Sequence, residues 1–317
     1  MKKGYLDISF SWIFAIIVGA IILFFAITSV SKIGHIKQTS EGAIAGAELD
    51  ILLNPLETGL ETGKTSMLTM PVYSRLYFDC DNYGDFGNHY LMVQEQVKKE
   101  WLSFVRQESG EWKASGINIK FQNKYLFSDS VLDGKNFYLF TKPFKFPFKV
   151  GSLIYMTSSE DEYCFSNPPE PIEKELIDLA QPNIFINECE DDQIKVCFGP
   201  SSDCQIKVNY NLGYVEKKEG KSYFYTDALM YAAIFSDSTM YECELQRVLK
   251  KVSNLATIYQ EKSLLMVNSG CTFNVISDLN LLQTQINNFE SSSDLFGLIN
   301  TMEDLEKKNE NARCRLW

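Results

Sequence analysis

Residues 79–85 read Asp-Cys-Asp-Asn-Tyr-Gly-Asp, with acids at the first and third positions and glycine at the sixth of an EF-hand-like loop. That spacing lets carboxylate and carbonyl oxygens converge on Ca²⁺. The fifth position is Tyr83 and the twelfth Tyr90, so the bidentate glutamate that completes such loops is missing. Asp79, Asp81 and Asp85 are therefore expected in a polar turn closed by local Asx hydrogen bonds, with Ca²⁺ as the alternative. A second stretch, TKPFKFPFKVG, interleaves Phe144, Phe146 and Phe148 with Lys142, Lys145 and Lys149. It fits bases stacking over a cationic groove, or, better on an acidic protein, an edge strand with Phe inward and Pro147 and lysines outward. The adjacent acids Glu160, Asp161, Glu162 and Glu190, Asp191, Asp192 read as solvated turns rather than an acid–base pair.

The usual parts of other chemistries are missing. Two histidines, His35 and His89, stand far apart, which removes most zinc sites and His-based nucleophile arrangements. No G-x-S-x-G, G-x-G-x-x-G, P-loop or H-E-x-x-H occurs, so no catalytic residue, metal site, cofactor or small-molecule ligand is identified. A net charge of -11 and pI ≈ 4.9 exclude a nucleic-acid binder that tracks phosphates with clustered Lys and Arg. There is no N-x-[ST] sequon for N-glycosylation.

The eight cysteines do carry a signal. Cys80, Cys164, Cys189, Cys197, Cys204, Cys243, Cys271 and Cys314 are even in number and include no C-x-x-C pair. That fits disulfides in an oxidising compartment better than metal ligands or reduced thiols. Cys197 and Cys204 flank the FGPSSD loop between two strands and are expected to pair. Cys271 and Cys314 bracket two antiparallel helices and are expected to pair as well. The partners of Cys80, Cys164, Cys189 and Cys243 stay open.

The elements around these residues follow from hydrophobic period. Strands are predicted at Ser66–Phe78, Ile117–Phe121, Asn136–Thr141 and Ser152–Thr157, with one helix around Tyr90–Val105. Asn-Pro-Pro-Glu-Pro at 167–171 reads as a linker, followed by a short helix at Ile172–Ala180. NIFINEC, QIKVCF and CQIKVNY read as a meander, with Ile194, Val196 and Phe198 on one face. Tyr241, Leu245, Val248, Val252, Leu255 and Tyr259 step by four and three along a helix at Ser238–Val267 that Gly270 caps. Two further helices, Ile276–Phe289 and Ser293 to about Asn309, complete a three-helix unit, with Ser291, Ser292 and Ser293 offering the N-cap.

From Ile8 to Val30 no residue is charged, and at 1.5 Å per residue the stretch reaches roughly 34 Å, enough to span a bilayer core. It is too long for a signal-peptide core and no A-x-A cleavage pattern follows, so it is expected to be retained. Lys2 and Lys3 are balanced by Lys32 and Lys37, and the cysteines decide the orientation as N-in, C-out. A helical stalk is expected to run on to about Leu53, with Ile44, Ala47 and Ile51 on one stripe, before Asn54 and Pro55 stop it.

The opening MKKGYLDISFSWIFAIIVGAIILFFAI resembles the N-termini of archaeal type IV pilin-like proteins, with a basic leader, a glycine and a long apolar helix. That resemblance implies leader cleavage after Gly4, although Tyr5 stands where glutamine is often found. ILLNPLETGLETGK, PFKFPFKVGSLIY, YAAIFSDSTMYECELQRVLKK and the terminal CRLW look like pieces of archaeal membrane-anchored surface proteins, which implies an anchor and an extracytoplasmic domain.

The expected fold is α+β, with an N-terminal transmembrane helix, a mainly antiparallel β ectodomain and a C-terminal three-helix subdomain. Its segments are 1–35 (cytoplasmic tip and anchor), 36–65 (stalk and loop), 66–166 and 167–235 (β-rich) and 236–317 (helical). The expected role is a structural or interaction protein of the cell surface, with the lipid bilayer and other surface or filament proteins as partners. A pilin-like subunit and an enzyme without a recognised motif are the alternatives.

Overall fold

The computed structural model of the chain describes residues 14–27, 65–97, 111–199, 203–267, 270–271 and 275–317. The predicted stalk and its loop, the leader and His35 lie outside them.

Strict alternation builds the first sheet. β1 (Ser66–Asp81) turns Leu68, Met70, Leu76 and Phe78 to one side and pairs antiparallel with β2 (Asn88–Val97) and β5 (Val131–Lys145). Pro71, with no N–H to give, falls where the β5 register shifts and before β2 pairing begins at Ser74. With β3 (Glu111–Phe121), β4 (Tyr125–Phe127) and β6 (Lys149–Ser158) the order is β3-β2-β1-β5-β6-β4, antiparallel except for β4 on β6. Leu76, Leu91, Phe121, Leu126, Leu132 and Ile154, one from each strand, meet in a single cluster.

Two expectations fail in this sheet. Tyr90–Val97 is strand, not the start of a helix, because β2 is paired on both sides and alternates buried His89, Leu91, Val93 and Glu95 with exposed Met92. Ladder pairing thus overrides the helix preference of Gln94, Glu95 and Gln96. The Phe/Lys stretch is no edge strand either. β5 lies between β1 and β6, and Phe146 and Phe148 form the β5–β6 turn with their rings buried beside Phe144.

The second sheet holds β7 (Tyr163–Ser166), β8 (Ile184–Ile186), β9 (Ile194–Phe198), β10 (Ile206–Asn209), β11 (Tyr214–Lys217) and β12 (Gly220–Tyr223) in the order β12-β11-β10-β9-β7-β8. The expected meander is corrected here. β7, β8, β9 and β10 all run parallel, and β8 pairs with β7 instead of β9. α2 (Glu170–Leu179) supplies the crossover from β7 to β8, and Pro171 near its start sits where helices tolerate proline. β10 starts at Ile206 opposite Val196 and runs in the same direction as β9. A hairpin would need only about two to five residues there.

No periodic signal in the sequence announces α3 (Asp227–Phe235). Every residue from Ala228 to Phe235 is buried, so it shows no amphipathic period, the mark of a helix enclosed on all sides. α4 (Ser238–Val267), α5 (Ile276–Asn287) and α6 (Leu295–Glu310) follow the predicted spacing, and Ser291 and Asp294 form a capping box ahead of α6. One core takes in Phe140, Tyr163, Val196, Tyr231, Val248 and Leu305, so the segments 66–166, 167–235 and 236–317 share it.

Four disulfides cross-link this body: Cys80–Cys243, Cys164–Cys189, Cys197–Cys204 and Cys271–Cys314. No described cysteine is free, which marks a protein of an oxidising compartment. Residues 14–27 form a helix, α1, in which every residue is exposed. It covers the middle of the apolar stretch, and among the described residues no helix is long and apolar enough to cross a membrane.

Candidate functional site

One stripe of α4 grips the β1–β2 turn that contains Asp79, Asp81 and Asp85. Cys243 is bonded to Cys80, Gln246 accepts from Asn82 at 2.5 Å, and Asn254 Nδ2 donates to the Asp85 carbonyl at 3.2 Å. The Lys250 ammonium donates to the carbonyls of Asn82 and Gly84, so a side-chain cation occupies the loop's converging oxygens. Asp81 accepts the Tyr83 N–H at 2.9 Å, an Asx turn, and also bonds Asn88 and the Tyr90 hydroxyl. Burial alone would raise the Asp81 pKa, but these three bonds hold it below the usual carboxylate value. Among the described residues no group of three or more His, Cys, Asp or Glu is placed to hold a metal.

Behind this turn lies a buried charge centre that no sequence motif announces. Glu244 and Arg247 are both 0% exposed, and the guanidinium Nη1 meets both carboxylate oxygens at 2.7 and 2.8 Å. Arg247 also donates to the carbonyls of Phe86, Phe121, Gln122 and Lys124. His89 Nδ1 lies 2.8 Å from Glu244, while His89 Nε2 has no partner between the rings of Phe78 and Phe121. Gly87 makes room for it, since a Cβ there would stand 2.6 Å from the Asp81 carbonyl and 2.8 Å from Arg247 Cγ. All three side chains are shut off from solvent, so the arrangement locks α4 to the first sheet and offers no opening to a substrate. The i,i+3 spacing of Glu244 and Arg247 was the available signal, but it reads as an ordinary surface pair.

The remaining sequence candidates separate. Gln193 bridges the two acid turns, donating to Glu162 at 3.0 Å and accepting the Glu190 N–H at 3.0 Å, while Asp191 pairs with Lys195 at 3.3 Å, so the acids are tied into structural contacts. Lys142 bonds Glu175 at 2.6 Å over the Tyr231 ring, while Lys145 and Lys149 point to solvent. Cys197 and Cys204 lie at the β9–β10 connection, and Cys271 and Cys314 at the adjoining ends of α5 and α6.

Among the hollows that the described residues line are two that combine charged and aromatic side chains at openings to solvent. One, of about 390 Å³, is walled by Asp129, Tyr163, Lys217, Glu219 and Asp237. Asp237 caps α4 by accepting the Met240 N–H and also accepts the Ser130 N–H, and Lys217 donates to the Ser236 carbonyl at 2.7 Å. Burial, more than the neighbouring acids, pushes the Asp129 carboxyl up to about 6, and burial lowers the Lys217 ammonium against the pull of the same carboxylates. The other, of about 790 Å³, lies on the outer face of β9, β10 and β11, lined by Asn167, Phe198, Lys207, Tyr210, Tyr214 and Glu216. Tyr210 and Asn211 also line a neighbouring hollow of about 430 Å³ that reaches Leu212, Tyr225 and Phe296. Compared with protein-family models, curated proteins and solved structures, the chain gives no match.

Proposed function

We propose that the chain is a membrane-anchored, extracytoplasmic module that acts by binding or by structure, with its N-terminus cytoplasmic. The reading rests on one contrast. Every residue from 14 to 27 is apolar and exposed on a helix, while the body beyond it is closed by four disulfides. A helix that is apolar all round needs an apolar surrounding, and lipid supplies one. The uncharged stretch from Ile8 to Val30 gives the required length.

Carbonate extraction of membranes, combined with thiol alkylation of intact unreduced cells, tests both halves. The expected result is retention in the pellet with all eight cysteines unlabelled. Release into the supernatant, or labelling without reductant, overturns the reading.

The same helix supports a second reading. Wholly apolar helices carrying small residues such as Ala15, Gly19, Ala20 and Ala26 also pack against copies of themselves, as a subunit of an archaeal type IV filament would. Filaments in electron micrographs of surface material and loss of Met1–Gly4 by mass spectrometry favour it; an intact Met1 counts against it.

A further inference from the structure

We propose that the open groove across the outer face of β9–β11, continuing past Tyr210 to Phe296, is a binding site for an extended, uncharged glycan chain. This deepens the surface-interaction reading and depends on it only for where such a ligand is met.

The rings that line the groove are displayed and held. Tyr210 and Tyr225 are each 38% exposed and Phe296 49%. The Tyr210 hydroxyl donates to Asp227 at 2.9 Å and the Tyr225 hydroxyl to Glu303 at 3.1 Å. Each tyrosine is thus tied at its polar end while a ring face meets solvent, so little side-chain freedom is left to lose on binding. The turn carrying Tyr210 is fixed as well. Asn209 accepts the Leu212 N–H, and Gly213, at φ +66, packs so close that a Cβ would stand 2.5 Å from the Phe224 carbonyl.

Charge complementarity selects the ligand. Asp227 and Glu303 are engaged by tyrosine hydroxyls, and Glu216 lies 3.6 Å from Lys221, whose ammonium sits over the Tyr214 ring at 4.4 Å. The carboxylates of the groove are therefore already committed, and beside the single ammonium of Lys207 the lining presents amides and hydroxyls. Asn167 and Asn211 each offer a donor and an acceptor, which matches sugar hydroxyls that are both. A pyranose ring also has an apolar C–H face suited to an exposed aromatic face. Two neighbouring hollows that share Tyr210 and Asn211 give room for several such units in a row.

The test uses the full chain extracted in a detergent without a sugar headgroup, titrated calorimetrically with cellohexaose, β-1,4-mannohexaose and chitohexaose, and with octaproline as a competing chemistry. The expected result is saturable 1:1 binding of at least one hexasaccharide, about tenfold tighter than its disaccharide. Tyr210→Ala and Phe296→Ala are each expected to weaken it about tenfold, while Met92→Ala, at an exposed position of the first sheet outside the groove lining, leaves it within about twofold. Absence of binding by all three sugars, binding that survives both groove variants, or binding of octaproline alone at these rings overturns the proposal. Because the measurement is made on extracted protein, failure of the groove and failure of the anchor are separate outcomes.

Discussion

Glu244 and Arg247 sit one turn apart on α4, both sealed from solvent, and share two hydrogen bonds while the arginine reaches four backbone carbonyls in the turns of the first sheet. Removing one member leaves the other charge buried and uncompensated. Arg247→Met is expected to lower unfolding free energy by about 3–5 kcal/mol. Arg247→Lys should cost more than about 1 kcal/mol, since an ammonium cannot reproduce the guanidinium fork. Denaturant melts under non-reducing conditions measure both, and a loss under about 1 kcal/mol for Arg247→Met would refute the clamp.

Gly87 offers a test from the opposite side. It combines φ +62 with backbone and Arg247 contacts that leave no room for a Cβ. Gly87→Ala is expected to destabilise by about 1–3 kcal/mol, whereas Gly84→Ala, in open space though also at positive φ, should cost about 1 kcal/mol. Equal losses at the two positions would show that Arg247 does not need the space.

The disulfides should rank by the loops they close. On the chain-entropy account, Cys80–Cys243 at separation 163 contributes about 5 kcal/mol, Cys271–Cys314 at separation 43 about 4, and Cys197–Cys204 at separation 7 about 2. Paired Cys→Ser variants measured in one buffer give the order. If the Cys197–Cys204 pair proves the costliest to remove, native-state geometry rather than loop length governs.

Asp129 makes stability depend on pH in an unusual sense for a carboxylate. Its folded pKa of about 6 lies above the ordinary 3.8. The contribution is therefore fully present below about pH 3.8 and is lost as pH rises through 6. Asp129→Asn removes the cost of ionising a half-buried acid, so it should raise stability by about 1–2 kcal/mol at pH 7.5, after allowing for its contact with water, and by almost nothing at pH 4. A gain at pH 4 as large as at pH 7.5 would place the effect elsewhere.

Local periodicity was enough to find what it can encode. The alternation of Leu68, Met70, Leu76 and Phe78 identifies β1, the four-and-three stepping of Tyr241, Leu245, Val248 and Val252 identifies α4, and Ser291, Ser292 and Ser293 mark the start of α6. These signals live on single elements, where side-chain period and caps are fixed by backbone geometry. Partners are another matter. Whether β9 runs with or against β10, whether Tyr90–Val97 is helix or strand, and whether Phe144 lies on an edge all depend on which strand pairs alongside, and pairing is long-range. α3 escaped notice because complete enclosure erases the polar face that reveals a helix.

The amino-acid order alone determined an apolar stretch fit for lipid, an even cysteine set fit for oxidation, and the absence of familiar catalytic motifs. Only the folded chain decided that Glu244, Arg247 and His89 meet, that Lys250 fills the acidic turn, and that Tyr210, Tyr225 and Phe296 line one groove. The physical reason is distance along the chain. His89 and Glu244 are 155 residues apart and Tyr225 and Glu303 are 78 apart, so their contacts come from core packing and sheet order, which no local spacing records.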